Sequence, residues 1–106
     1  MIESVVSMKV NITIMSGAGN IFSVIDGRKY NFTQEKYSRL AETFCSPGSA
    51  YPQRTEGILV INTPTGDQDF SAWFFNPDGS YGAMCGNGAR CAVKFALENG
   101  FFTPDN

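Results

Sequence analysis

The 106-residue chain has no histidine, no Cys-x-x-Cys pair and only three cysteines, Cys45, Cys85 and Cys91. An odd cysteine count without framework spacing argues against a disulfide-stapled secreted domain. The spacing of Cys85 and Cys91 matches no common zinc pattern, so no metal is expected. Long apolar runs are also missing: none approaches the roughly 20 residues that span a bilayer. The first ten residues carry Glu3 and Lys9 and lack the apolar stretch of a signal peptide. The expectation is therefore a cytoplasmic protein with no membrane partner. No basic patch is present either. The net charge is −2 with acids and bases mixed along the chain, which argues against nucleic acid as a partner. Internal repeats and low-complexity segments are absent.

What the chain does have is apolar and aromatic content, 42% and 13% respectively, with nine phenylalanines. That composition is globular rather than disordered. The length suits one small domain with a thin core.

Periodicity orders the elements. Residues Lys9 to Ile14 alternate as a half-buried strand does. The run Ser16-Gly17-Ala18-Gly19-Asn20 reads as a tight glycine loop. Ile21 to Ile25 reads as a second strand, and Asp26-Gly27 as a hairpin-type turn. A helix follows, with Thr33 as its N-cap and Tyr37, Leu40, Ala41 and Phe44 along one apolar face; Pro47 and Gly48 end it. Ser46 to Thr55 is a polar loop. Gly57 to Asn62 is a short, nearly all-apolar strand, and Thr63 to Asp67 a turn. Phe70 to Asn76 is an aromatic strand, with Phe70, Ala72 and Phe74 on one face and Trp73 and Phe75 on the other. Pro77-Asp78-Gly79 is a turn. A second helix begins after Cys85 and runs to about Glu98, with Ala89, Ala92, Val93 and Ala96 on one stripe, widened by Phe95 and Leu97. Asn99-Gly100 stops it. This order predicts an α+β domain whose mostly antiparallel sheet wraps the second, enclosed helix.

The segment Met84-Cys85-Gly86-Asn87-Gly88-Ala89-Arg90 carries the most chemical information. A cysteine stands where a glycine-rich turn opens a helix. The first N–H groups of a helix have no intrahelical partner, and the dipole adds partial positive charge there. Such surroundings raise the thiolate fraction of a cysteine. Gly86 and Gly88 let a ligand approach the backbone, whose N–H groups can hold a carboxylate. A thiolate beside a carboxylate clamp suits removal of the α-proton of an amino acid. The same residues also fit a buried structural cysteine, since free cysteine is among the most buried residue types. Cys91 and Cys45 both read as core. Two loops, Gly17-Ala18-Gly19-Asn20 and Asn76-Pro77-Asp78-Gly79-Ser80, place asparagine beside glycine. An asparagine amide both donates and accepts, although each loop taken alone is more often plain turn chemistry.

Taken together, Gly17-Ala18-Gly19-Asn20, Phe75-Asn76-Pro77-Asp78-Gly79-Ser80 and Cys85-Gly86-Asn87-Gly88-Ala89-Arg90 resemble, in order and spacing, the diaminopimelate epimerase family. The resemblance spans most of the chain. It implies one half of a two-lobed α+β fold, each lobe a sheet around a central helix. It further implies interconversion of LL- and meso-diaminopimelate, on the route to lysine and peptidoglycan, by two cysteines and without a cofactor. Cys85 would be one of the catalytic thiols, Asn20 and Asn76 substrate contacts, and Gly86 and Asn87 donors of backbone N–H groups to the reacting carboxylate. Residues 1–106 would form an N-terminal catalytic half-domain, inactive alone. Its partner would be the missing C-terminal half with the second cysteine. The chain departs from the family at Ile21, where Asp is usual. It departs again over Tyr51 to Gly57, where Gly57 lacks a substrate-contacting side chain that some members supply. Those departures leave two other readings open. One is a related cofactor-independent racemase with a different amino-acid substrate. The other is a non-catalytic half-domain acting as a binding or assembly module, for which a homodimer is expected.

Overall fold

The computed structural model describes residues 10–17, 19–45, 55–82 and 86–102. Five strands and two helices account for most of them: β1 (Thr13–Gly17), β2 (Asn20–Asp26), α1 (Gln34–Cys45), β3 (Ile58–Asn62), β4 (Ser71–Phe75), β5 (Tyr81–Gly82) and α2 (Gly86–Glu98). The strands form one sheet in the order β1-β2-β3-β4-β5. Three of its pairings are antiparallel, and β2 runs parallel to β3. The expected α+β class and mostly antiparallel sheet are both present.

The sheet has a helix on each face. Alternation along the strands divides the core accordingly. Phe22, Val24, Leu59, Ile61 and Phe74 face α2, where they meet Cys91, Ala92, Phe95 and Ala96. Ile25, Ile58, Val60 and Phe75 face α1, where they meet Tyr37, Leu40, Ala41 and Cys45. The split of the aromatic strand is as expected, with Phe70 and Ala72 packed on the α2 side and Trp73 on the α1 side. Strand β3 needs no polar alternation, because Ile58 through Ile61 are fully buried between the two helices.

The first strand and the Asp26-Gly27 turn differ from the expectation. The first strand begins at Thr13 and continues through Gly17, so Gly17 is a ladder residue, paired with Asn20. The start expected at Lys9 lies outside the described residues, as do Ala18, the Pro47-Gly48 helix stop and the loop from Ser46 to Arg54. Asp26-Gly27 does not make a hairpin. The Asp26 carboxylate instead accepts from the Arg28 N–H at 3.0 Å and caps a 3₁₀ turn over Gly27–Lys29. The chain then leaves for α1 and returns as the parallel strand β3. Asp-Gly serves both turn types, and the side chain's bond to the backbone two residues on selects this one.

The second helix also differs. Its buried residues are Gly88, Cys91, Ala92, Phe95 and Ala96, whereas Val93 and Leu97 are 48% and 41% exposed. Ala89, Val93 and Leu97, with Arg90 and Lys94, line a shallow open groove. Among the described residues the sheet covers one side of α2 and leaves this stripe open.

One end of each helix follows its sequence signal among the described residues. Thr33 Oγ1 accepts from the Lys36 N–H at 3.2 Å, as an N-cap does. At the other helix's end Gly100 has φ 78°. Phe101 N donates to Ala96 O at 2.9 Å and Gly100 N to Leu97 O at 3.4 Å, a Schellman closure. Arg28 secures this end: it donates to Asn99 O at 2.8 Å and lies 3.6 Å from the centre of the Phe101 ring. Burial pushes the Asp26 carboxyl up, but the hydrogen bonds and charge of Arg28 outweigh it and hold the carboxyl below its usual range. No described helix is long and apolar enough to cross a membrane.

Tyr37 is 1% exposed, and its hydroxyl has no hydrogen-bond partner among the described residues. Its ring packs edge-on against Phe32 and Trp73. Burial, with smaller effects from Tyr30 and Asp26, pushes its pKa up to about 12. The unfolded chain releases this proton near pH 10 while the folded chain keeps it, so stability falls as pH rises from 10 toward 12. Tyr37→Phe keeps the ring and removes the unpaired hydroxyl. It should raise stability by about 1 kcal/mol and remove that alkaline loss, as read from urea midpoints at pH 7 and pH 11.

Candidate active site

The three motifs converge because of strand direction. β1 ends at Gly17, β2 begins at Asn20, β3 begins at Ile58 and β4 ends at Phe75, with Ser23 beside Ile58 and Ile58 beside Phe75. All four termini therefore lie at one end of the sheet. Asn20 opens β2 there, and Asn76 follows β4 there.

The start of α2 lies against the same end. A methyl group on Gly17 would sit 3.3 Å from Asn87 O, 3.3 Å from Cys91 Sγ and 3.9 Å from Asn87 Cβ. The β1–β2 hairpin thus rests on the first turn of the helix. Gly86, its first residue, is exposed, with open space where a side chain would be. No acidic residue occupies the first turn, so the helix's own side chains leave its partial positive charge uncompensated. Cys85, immediately before Gly86 in sequence, lies outside the described residues. Two asparagines and the helix start that follows Cys85 in sequence are thus brought to one sheet end.

Asn76 is committed to its turn. Its Nδ2 donates to Ser80 Oγ at 3.0 Å and Ser80 O at 3.3 Å, while its backbone N donates to Ser80 O at 2.8 Å. Asp78 Oδ1 accepts from Ser80 N at 2.9 Å and Ser80 Oγ at 2.7 Å, and these bonds hold the Asp78 carboxyl below its usual range. Ser38 of α1 donates its hydroxyl proton to Gly79 O, joining the turn to the helix. Gly82 leaves room for the Asn76 amide, since a methyl there would lie 2.6 Å from Nδ2. Among the described residues no hydrogen bond engages Asn76 Oδ1.

Gly57 is constrained as well. Its φ is 150°, and a methyl group would overlap the Phe75 carbonyl oxygen and come within 2.8 Å of the Phe74 ring. A side chain does not fit on this backbone at this position. Beside it lies a buried polar cluster that the sequence reading missed. Thr55 Oγ1 is 2.9 Å from Ser23 Oγ and 3.2 Å from Cys45 Sγ, and it donates to Gly57 O at 3.3 Å. Thr55 was read only as the end of a polar loop; nothing in its local sequence marks it as buried. Burial pushes the Cys45 thiol up, and the hydrogen bonds from Thr55 and Ser23 only partly offset this. Cys45 and Cys91 are both buried, as their core readings expected. Among the described residues no group of three or more His, Cys, Asp or Glu side chains could hold a metal ion.

The family model for diaminopimelate epimerase matches residues 12–105, and the chain belongs to that family. Among its relatives, the diaminopimelate epimerase of Cupriavidus pinatubonensis is 41% identical over 96 residues, covering 88% of this chain and 31% of the relative. That of Oceanobacillus iheyensis is 38% identical over 100 residues, covering 91% and 32%. That of Methanocella arvoryzae is 36% identical over 96 residues, covering 91% and 33%. The chain spans about a third of the length of these relatives.

Two outcomes follow from this geometry. Gly57→Ala should cost more than about 3 kcal/mol, because it strains the backbone and overlaps a carbonyl at once; a denaturant midpoint within a few tenths of wild type would contradict this. Cys45 should resist alkylation in the folded chain and react only as the chain unfolds, which mass mapping of labelled cysteines in rising urea would reveal.

Proposed function

We propose that this chain is the N-terminal catalytic half-domain of a cofactor-independent diaminopimelate epimerase, with Cys85 as one of two catalytic thiols. The observation that carries the reading is the seating of the Gly17–Asn20 hairpin on the first turn of α2, directly after Cys85 in sequence. The Cys85 thiolate removes the α-proton of the amino-acid substrate, and a cysteine thiol on the opposite face delivers a proton to the same carbon. One C–H bond breaks and another forms, with inversion and no redox change. Backbone N–H groups of Gly86 and Asn87 hold the reacting carboxylate as charge builds on it. Asn20 and Asn76 orient the substrate. The opposite thiol and the remaining pocket belong to the two-thirds of the family's length beyond this chain. The same remainder closes the site to water, which the developing carbanion requires. Function in the cytoplasm is part of this reading.

Specificity at the far end of the substrate is a separate matter. Ile21 and Gly57 offer it no polar side chain, which keeps a related racemase with a different amino-acid substrate as an alternative. A second reading is favoured by the open stripe of Ala89, Val93 and Leu97. An apolar helix face of this kind also suits a non-catalytic half-domain that assembles as a homodimer.

α-Proton exchange from LL-diaminopimelate in heavy water, followed by NMR, tests the proposal. This chain alone should not exchange. Joined to the C-terminal two-thirds of a full-length relative it should exchange, and Cys85→Ser in that fusion should reduce the rate about a hundredfold or more. Undiminished exchange in Cys85→Ser would remove Cys85 from the mechanism. A stable dimer in solution with an inert Cys85 would favour the assembly module.

A further inference from the structure

The Asn76 turn is held from a side that its own motif does not supply. Within the turn, Asn76 N donates to Ser80 O and Gly79 N to Asn76 O, each at 2.8 Å. These two backbone bonds tie Asn76 to Gly79, so a shift of one carries the other. The Asn76 amide is fixed by the same turn. Ser80 O can only accept, so the amide nitrogen is the atom that meets it, at 3.3 Å, with Ser80 Oγ at 3.0 Å. Asp78 and Ser80 are exposed, whereas Gly79 is buried. Water competes for the bonds between the first two and much less at the third. Gly79 is therefore the anchor of the turn. Its φ is 90°, and a methyl group there would stand 2.8 Å from Glu42 Cγ and 2.9 Å from Ser38 Oγ. The turn thus rests directly on α1, where the Ser38 hydroxyl donates to Gly79 O. Ser38 has a firm base, because Tyr37, Leu40 and Ala41 around it are buried in the core.

We propose that Ser38 is a positioning residue for Asn76. Its hydroxyl sets the height at which the turn sits on α1, and the two backbone bonds pass that setting to the Asn76 amide. Oδ1, which no hydrogen bond engages among the described residues, is thereby held at one place at the margin of the sheet. Ser38 belongs to none of the three motifs; through it α1 acts on the candidate site. The inference rests on the reading of Asn76 as a substrate contact.

Ser38→Ala removes the hydroxyl and leaves the helix intact, since alanine is the best helix former and position 38 is only half-buried. In this chain, NMR of the isotope-labelled protein should show the Asn76 side-chain amide signals, assigned by their loss in Asn76→Ala, moving in Ser38→Ala. In the fusion to the C-terminal two-thirds of a relative, Ser38→Ala should slow α-proton exchange at low substrate about fivefold or more, through a misplaced contact. In an Asn76→Ala background, itself slower, the same substitution should change the rate by less than about twofold, because Ser38 acts through Asn76. Unmoved amide signals, an undiminished rate in Ser38→Ala, or equal losses in the two backgrounds would each overturn this proposal alone. An Asn76→Ala fusion as fast as wild type would overturn Asn76 as a substrate contact and this proposal with it. A wild-type fusion that does not exchange would overturn the functional reading as a whole.

Discussion

The burial of β3 on both faces is the constraint from which the rest of the structure follows. A strand of Ile58, Leu59, Val60 and Ile61 has no side to turn to water, and each such side chain gains about 1.5–3 kcal/mol by leaving it. Two helices must therefore cover it, one per face. The chain is short, so each helix comes from the connection nearest to hand: α1 from the crossover between β2 and β3, α2 from the segment after β5. The parallel pairing of β2 and β3 results, because a strand that returns after a helix across the sheet comes back in the same direction.

The candidate site inherits its position from this arrangement. With β2 and β3 parallel and their outer neighbours antiparallel, the end of β1, the starts of β2 and β3 and the end of β4 share one margin of the sheet. Loops at that margin are free to carry polar chemistry, while the strands behind them are held by the core. The helix start at Gly86 comes to the same margin because α2 packs on β1, β2 and β3. Rigid elements thus deliver a hairpin, a turn and a helix N-terminus to one place, although their residues are scattered along the sequence.

Much of this was legible before any coordinates. The inward and outward faces of β4 follow from strict alternation, and Thr33 and Gly100 mark helix ends by chemistry that is local to them. Asp26-Gly27 was misread because a local signal had two outcomes, and the Asp26 side chain's bond to the Arg28 N–H, which spacing does not reveal, selects the 3₁₀ turn. The stripe on α2 was misplaced for a related reason. Alanine, valine, cysteine and phenylalanine surround that helix, so periodicity alone does not say which side the sheet takes. Gly17 and Gly57 carry constraints that no spacing rule exposes, since a glycine's meaning lies in the neighbour its Cβ would strike. Thr55 is hidden in the same way, a polar residue at a loop end that the fold closes over Ser23 and Cys45.

The parallel seam between β2 and β3 has a kinetic consequence. The β1–β2 and β3–β4 pairs join neighbours in sequence and close cheaply, whereas the seam joins Ser23 to Ile58 and Asp26 to Ile61 across the whole of α1. Loop closure before contact makes such a joint the slow step of assembly. The site straddles it, with Asn20 on one side and Asn76 on the other. Neither hairpin holds both asparagines, so the candidate site is assembled across the seam. A partial opening of that seam would separate the two asparagines while leaving most local structure in place, so the lifetime of the site is bounded by the lifetime of a single pair of strands.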